Sequence, residues 1–164
     1  MLTLFTRLKM IQAIAFLAIP FFLMCAEGEI LPSISHYAHY QPMLFAELLT
    51  LAGALFLYDG YVNPSRRYNL ICAAGLFGLI LFPNMDYDYP HYAFASLFFF
   101  GSMFNMVYFS SKEDRKYSIA IATVVLIGLA GSFLFNWYSI FWAEWIGMVP
   151  ISVHFVLEAK GKID

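Results

Sequence analysis

The positive charges of this chain are confined to alternate segments between long apolar stretches. They lie at the start of the first stretch, after the second, after the fourth and after the sixth, and the other connections carry no Lys or Arg. Cytoplasmic loops collect positive charge, so this distribution predicts a chain that crosses a bilayer repeatedly with both termini on the cytoplasmic side. The nine basic residues are Arg7, Lys9, Arg66, Arg67, Lys112, Arg115, Lys116, Lys160 and Lys162.

The composition agrees with a membrane protein and excludes other classes. Hydrophobic residues make up 62% of the chain and charged residues only 12%. Soluble domains are about 45–50% apolar and about 25% charged, so a water-soluble fold is not expected. A nucleic-acid partner is not expected either, because the chain has no basic face or stripe.

Hydropathy predicts six membrane spans. A helix needs roughly 20 residues, within a range of about 17–25, to cross the hydrocarbon core. The apolar runs lack the alternation of a barrel strand, so we predict helices. The expected fold is all-α, a polytopic transmembrane bundle of six helices that forms a single domain over residues 1–164. The predicted spans are Leu8 to Cys25, Pro42 to Tyr58, Tyr68 to Phe82, His91 to Phe109, Tyr117 to Phe135, and Ser139 to Leu157.

Two carboxylates fall inside predicted spans. Glu47 lies in the second span and Glu144 in the sixth, each about 8–9 Å below the outer surface at about 1.5 Å per residue. Ionisable groups in a membrane usually face the bundle interior or a watery cavity and mark functional sites. The alternative is that each carboxylate only hydrogen-bonds a neighbouring helix.

The connections on the outer side bring more polar groups to the same depth. Residues 31–42 and 84–91 are rich in serine, histidine, tyrosine and aspartate. We therefore predict one polar pocket that is open to the outer side and binds an ion, a small molecule or a lipid. Its candidate ligand-binding residues are Ser33, Ser35, Tyr37, His39, Glu47, Asp86, His91 and Glu144.

A catalytic metal is a second hypothesis for this pocket. Two histidines and one glutamate form a known catalytic zinc set, and His39, His91 and Glu144 supply those residue types, with Asp86 as a substitute for the glutamate. Zinc-bound water would then attack a lipid-borne amide or ester. The spacing itself is not a metal motif, because His36 and His39 are three residues apart in a loop.

A smaller polar group is predicted near the inner face. Asp59 follows the second span, Asn105 lies in the fourth, and His154 and Glu158 share one face of the sixth helix. A lone histidine at that depth is more often a packing residue than a ligand, so these residues are not placed in the candidate site.

The outer segment resembles a known element. Pro32-Ser33-Ile34-Ser35-His36-Tyr37-Ala38-His39 is similar to the Pro-Ser-x-Ser-x-Tyr-Tyr-His element of uncharacterised small polytopic bacterial membrane proteins. Ala38 replaces the second tyrosine and His36 replaces a small residue. The resemblance extends to Tyr58-Asp59-Gly60-Tyr61, Phe82-Pro83, His91, Glu144 and Lys160-Gly161. It implies a bacterial cytoplasmic membrane and supports Ser33, Ser35, Tyr37, His39, His91 and Glu144 as site residues, but it carries no assigned activity.

A more distant similarity is to alkaline ceramidases and adiponectin-receptor-like membrane hydrolases. Those proteins use three histidines, an aspartate and a serine around zinc among seven helices. This chain has six predicted spans, and its last span carries His154-x-x-x-Glu158 in place of a His-x-x-x-His pair. The similarity therefore implies a mechanistic analogy only.

Three functional classes remain open from the sequence. The first is a binding or transport protein for an ion, small molecule or lipid, with Glu47 and Glu144 as protonatable gates. The second is a zinc-dependent lipid hydrolase that uses His39, His91 and Glu144. The third is a structural subunit of a membrane complex or a homo-oligomer. Whether the protein is an enzyme, and whether it holds zinc, stays open at this stage.

Overall fold

Helices account for the regular structure of the chain. The computed structural model describes residues 4–63 and 66–163, with the side chain of Phe5 left aside, and this part of the chain contains no strand. A 3-10 turn at Ile34–His36 leads into the short helix α2, Tyr37–Tyr40. The long helices are α1 (Leu4–Glu27), α3 (Pro42–Val62), α4 (Asn69–Leu81), α5 (Asp88–Tyr108), α6 (Arg115–Phe133) and α7 (Ile140–Ala159).

The all-α prediction is confirmed, whereas the count of six spans stays a prediction. Among the described residues, four helices are long and apolar enough to cross a membrane, namely α1, α3, α6 and α7. Helix α4 has only 13 residues, which is short of the roughly 17 that a spanning helix needs. Helix α5 has 21 residues but carries Asp88, His91 and Asn105 along its length.

The long helices form a closed ring in which α1, α3, α4, α5, α6 and α7 each contact the next, and α7 contacts α1. Four phenylalanines meet inside it: the ring of Phe56 lies 5.5 Å from that of Phe16, 6.1 Å from that of Phe98 and 5.3 Å from that of Phe155. They come from α3, α1, α5 and α7. Aromatic packing therefore holds four helices to one centre.

Glycine allows α4 to lie directly against α5. A methyl group on Gly78 would overlap the ring of Phe94, far inside van der Waals contact. Small residues at helix contacts allow this close approach in membrane bundles. Helices α5 and α6 pack less extensively than α4 and α5 do. The looser packing of α5 and α6 leaves space between these two helices, and this space is part of the candidate site.

One end of the bundle, which we call the basic end, is held by buried ion pairs. Lys9 Nζ and Arg66 Nη1 each lie 2.5 Å from Glu158 Oε1. Nearby, the side-chain amide of Asn69 donates to Asp59 at 2.5 Å. The start of α1, the link between α3 and α4, and the end of α7 therefore meet at the same end. The smaller polar group predicted from the sequence lies at this end: Asn105, His154 and Glu158 line one small cavity with Asn69, the partner of Asp59.

Candidate functional site

The opposite end of the bundle, which we call the loop end, is filled by residues 28–41. Helix α1 ends at Glu27 and is followed by Gly28, whose positive φ of 84° suits a glycine. The chain then folds into the bundle, so that Leu31, Ile34 and Tyr37 are all buried. The backbone N–H of Phe141 donates to the carbonyl of Pro32 at 2.8 Å, which ties this segment to the start of α7.

Tyr37 fixes the segment from within. Its hydroxyl donates to the carbonyl of Glu29 at 2.7 Å and accepts the N–H of Leu31 at 3.2 Å. Burial raises the pKa of the Tyr37 hydroxyl, so the group keeps the proton that it donates. Tyr37 therefore shapes the site from behind and does not line the cavity described below.

Glu144 of α7 is bound by the 3-10 turn. Its Oε2 accepts the backbone N–H of Ile34 at 2.6 Å, and its Oε1 lies 3.3 Å from the hydroxyl of Ser35. The N–H groups at the start of a helical turn lack helical partners, and a carboxyl group satisfies them. The turn is therefore locked to α7 by a residue more than 100 positions away in the chain.

His91 of α5 completes a row of three side chains. Its Nε2 lies 2.9 Å from the hydroxyl oxygen of Ser35, and its Nδ1 lies 2.8 Å from the carbonyl oxygen of Phe82. A carbonyl only accepts, so Nδ1 carries a proton and donates it to Phe82. In the neutral imidazole the other nitrogen, Nε2, then accepts a proton from Ser35. His91 and Ser35 are both buried.

A second histidine borders the row. His36 Nδ1 lies 2.7 Å from the hydroxyl of Ser33 and 3.3 Å from the side-chain nitrogen of Asn84. The amide of Asn84 only donates through that nitrogen, so Nδ1 of His36 is the acceptor and the imidazole proton is on Nε2. Ser33 also accepts the backbone N–H of His36 at 3.2 Å, which caps the turn.

These side chains form the polar end of a cavity of about 410 Å³. The rest of its wall is apolar and comes mainly from α5 and α6, the loosely packed pair, with Leu134 and Ile140 beside them. Phe100, Phe133 and Leu134 lie on this wall and are also exposed on the surface of the bundle. The cavity therefore opens sideways between α5 and α6. Its polar lining consists of Ser33, Ser35, His36, Asn84, His91, Tyr92, Ser96 and Glu144.

The structure brings together part of the predicted pocket. Ser33, Ser35, His91 and Glu144 meet at the cavity, with Tyr37 behind them. The other candidates lie elsewhere: His39, Glu47 and Asp86 are exposed and do not line the cavity. Glu47 was predicted from its depth, but depth does not fix which side of a helix faces inward. The structure therefore does not bring Glu47 to the cavity that Glu144 lines.

The predicted zinc set is not assembled. Over the described residues, no three His, Cys, Asp or Glu side chains come close enough to hold a metal ion. His39 is exposed and its ring contacts that of Tyr40, whereas His91 and Glu144 are joined through the hydroxyl of Ser35. The zinc hypothesis required a metal ion bound by both His91 and Glu144, whereas the hydroxyl of Ser35 lies between these two side chains.

Three contributors to the site were missed or given less weight from the sequence. His36 was less favoured because it departs from the resembling element, yet it lines the cavity. Asn84 and the carbonyl of Phe82 were not singled out. The Phe82-Pro83 match and the polar loop that starts at Asn84 were the signals that could have identified them.

Comparison with known proteins identifies a family for the chain but assigns it no activity. No curated protein and no solved structure shows significant similarity to it. One family model matches residues 18–159, a range that includes the outer segment, His91 and Glu144. Because this match covers most of the 164 residues, the chain belongs to that family, which is described as a family of unknown function, DUF7103.

Proposed function

We propose that the protein is an integral membrane protein that binds a single-chain acyl lipid in the cavity between α5, α6 and the loop end. The lipid chain lies between α5 and α6, and its carbonyl or carboxyl group lies at Ser35, His91 and Glu144. The observation that carries the proposal is the division of one cavity into a polar end and an apolar, laterally open wall.

The size and composition of the cavity support this ligand class. Ligand sites are usually about 300–1,000 Å³ and are mostly apolar with a few convergent polar groups. At about 410 Å³ the cavity suits one acyl chain with a small head group better than a lipid with two chains. Asn84 Oδ1 is buried without a hydrogen-bond partner among the described residues and offers an acceptor to the head group.

The proposed membrane arrangement has six spans, with the loop end outside and both termini in the cytoplasm of a bacterial cell. The Lys and Arg distribution supports it, because Lys9 and Arg66 lie together at the basic end. Helices α4 and α5 are the two that hydropathy supports least. Each lies between two neighbours in the ring, which provides contacts for a short or polar span.

A pair of matched substitutions tests lipid binding. Ala95 lines the cavity, whereas Ala93 on the same helix is exposed and does not. We expect Ala95→Phe to reduce crosslinking of a photoactivatable fatty acid by about tenfold or more, equivalent to about 1.4 kcal/mol of binding free energy. Ala93→Phe should crosslink like the parent protein.

The crosslinked peptides provide the second readout. Label should fall on residues of α5 and α6 that line the cavity. Equal crosslinking of both variants, or label spread over the whole bundle surface, would show that the cavity is not a lipid site. Thermal unfolding of both variants in the same detergent verifies that each is folded.

A further inference from the structure

We infer that Ser35 is a nucleophile and His91 its general base, and that the site transfers the acyl group of a single-chain acyl ester to Ser35 and then to water. This inference rests on the proposed lipid site. It assigns a serine-dependent activity to residues that do not form a metal site.

The arrangement meets the geometric requirements for an activated serine. A nucleophile and its base must lie within about 2.6–3.2 Å, with the base oriented by a third group. The Ser35 hydroxyl lies 2.9 Å from His91 Nε2, and the carbonyl of Phe82 holds His91 Nδ1 at 2.8 Å. Because Nδ1 donates to Phe82, the lone pair on Nε2 faces the serine proton.

The surroundings suit an acyl substrate. Ser35 and His91 line the cavity, and Ala95 of its apolar wall lies one helical turn from His91 on α5, so a chain between α5 and α6 would bring its first carbonyl to Ser35. His36 also lines the cavity, and its hydrogen bonds from Ser33 and Asn84 leave its proton on Nε2. That N–H is a donor for the negative charge that develops on a carbonyl oxygen during attack.

The reaction has two steps, the acylation of Ser35 and the hydrolysis of the acyl–serine ester. The Ser35 oxygen bonds to the carbonyl carbon while its proton passes to His91 Nε2 and the carbonyl electrons move to oxygen. Collapse of this intermediate breaks the ester bond, and the departing alcohol takes the proton from His91. Water then bonds to the carbonyl carbon of the acyl–Ser35 ester while His91 takes its proton, and the bond to the Ser35 oxygen breaks as His91 returns that proton to the serine. The products are a free fatty acid and the original serine.

Glu144 acts as a positioning residue in this scheme. Ser35 has one hydroxyl proton, and the contact with His91 at 2.9 Å is shorter than the contact with Glu144 at 3.3 Å. Ser35 donates either to Glu144 Oε1 or to His91 Nε2, and the reaction requires the second direction, in which a protonated Glu144 donates to the serine oxygen. Its other oxygen accepts the N–H of Ile34 and so fixes the backbone beside Ser35.

A fluorophosphonate with a long alkyl chain is the probe for this inference. Attack by Ser35 forms an oxygen–phosphorus bond and expels fluoride, with the proton passing to His91. We expect the intact wild-type protein to carry the adduct on Ser35. The chain has no Lys or Arg between Lys9 and Arg66, so pepsin or chymotrypsin, not trypsin, is needed to map it.

The variants separate chemistry from folding. His91→Ala should slow labelling by about 100-fold or more, which is the lower range of a general base's contribution. The matched control is Ser152→Ala, because Ser152 is a buried serine in α7 that donates only to Met148 of its own helix. Its labelling rate should equal that of the wild type.

The outcomes distinguish this inference from the proposed lipid site. If the wild-type protein crosslinks the fatty acid at the cavity but forms no fluorophosphonate adduct above that of the heat-denatured protein, the nucleophile assignment is overturned and lipid binding stands. An adduct on another serine overturns it as well. Because mapping on the wild type needs no variant to fold, a variant that fails to fold cannot obscure the answer.

Discussion

The two oxygens of Glu144 have different hydrogen-bonding roles. One oxygen must accept the N–H of Ile34, while the other faces a serine whose proton is directed to His91. A glutamine satisfies both demands, because its carbonyl accepts and its amide nitrogen donates. A leucine of similar size satisfies neither.

We therefore expect Glu144→Gln to fold and to keep fluorophosphonate labelling within a few-fold of the wild type. Glu144→Leu should lose about 1–3 kcal/mol of stability, because the N–H of Ile34 is left without its acceptor. It should also lose labelling. Thermal unfolding and labelling rates measure the two effects. Equal loss in both variants would mean that a negative charge at Glu144, and not its hydrogen-bond pattern, is required.

Removal of metal ions tests the remaining alternative at the same residues. His91 and Glu144 share Ser35 and lack a third ligand among the described residues. We expect dialysis against a strong chelator to leave labelling and stability unchanged. Elemental analysis before and after dialysis is the control for complete removal. Restoration of lost labelling by added zinc would favour the zinc hydrolase hypothesis instead.

At the scale of elements, the start of α1, the α3–α4 link and the end of α7 meet at the carboxylate of Glu158. Lys9 of α1 and Arg66 of the α3–α4 link both pair with it, and the side chains of Lys9 and Glu158 are only 3% and 6% exposed. Removal of one partner from a buried ion pair leaves an uncompensated charge, at a cost of about 3–5 kcal/mol.

Glu158→Gln should therefore lower the free energy of unfolding by about 3 kcal/mol or more. Glu113→Gln is the matched control, because Glu113 is an exposed loop residue and its substitution should change stability by about 0.5 kcal/mol at most. Denaturant titration in a fixed detergent measures both. Similar stabilities would show that the ion pairs at the basic end are dispensable.

Sequence patterns predicted the elements more completely than the site. Six apolar runs correspond to the six long helices, and the observed ends lie within a few residues of those predicted, as for Tyr68–Phe82 against Asn69–Leu81. Hydropathy reports burial in lipid or protein but not which face of a helix points inward. Glu47 and Glu144 were therefore predicted alike, although one is exposed and the other meets Ser35.

The contacts within the site could not be predicted from the sequence, for a different reason. The pocket was predicted because its residues share one depth along the helices, and Ser35, His91 and Glu144 do lie at the same level of the bundle. Their contacts with one another depend on how residues 28–41 fold into the bundle. That fold depends on the hydrogen bond from the Tyr37 hydroxyl to the carbonyl of Glu29 and on the one from the Phe141 N–H to the carbonyl of Pro32. The contact between Phe141 and Pro32 joins residues that are far apart in the sequence, so it leaves no local pattern.

At the scale of the whole molecule, the two ends of the bundle should face opposite compartments. The protein with Cys25 and Cys72 replaced provides the background, since Cys25 is exposed and would itself be labelled. Single cysteines at Glu29, Asp88 and Trp137, all exposed at the loop end, should react with a membrane-impermeant maleimide in intact cells. Cysteines at Arg67 and Glu113 should react only after the membrane is opened.

The choice of positions at the basic end follows from the structure. Arg67 and Glu113 are exposed, whereas Arg66 pairs with Glu158, so a cysteine at Arg66 would disturb the bundle. Labelling of Arg67→Cys in intact cells would contradict the proposed orientation. Accessibility of both ends from the outside would contradict the membrane arrangement as a whole.

The contact between Ser35 and Glu144 also sets a condition on biosynthesis. The two residues are 109 positions apart, so the ribosome completes five of the six long helices before the partner of the 3-10 turn exists. A chain released early, or one whose last helix fails to insert, leaves Ser35 without its support from α7. If Ser35 is the nucleophile inferred above, we expect it to reach full reactivity only after α7 has inserted and Glu144 has bound the turn.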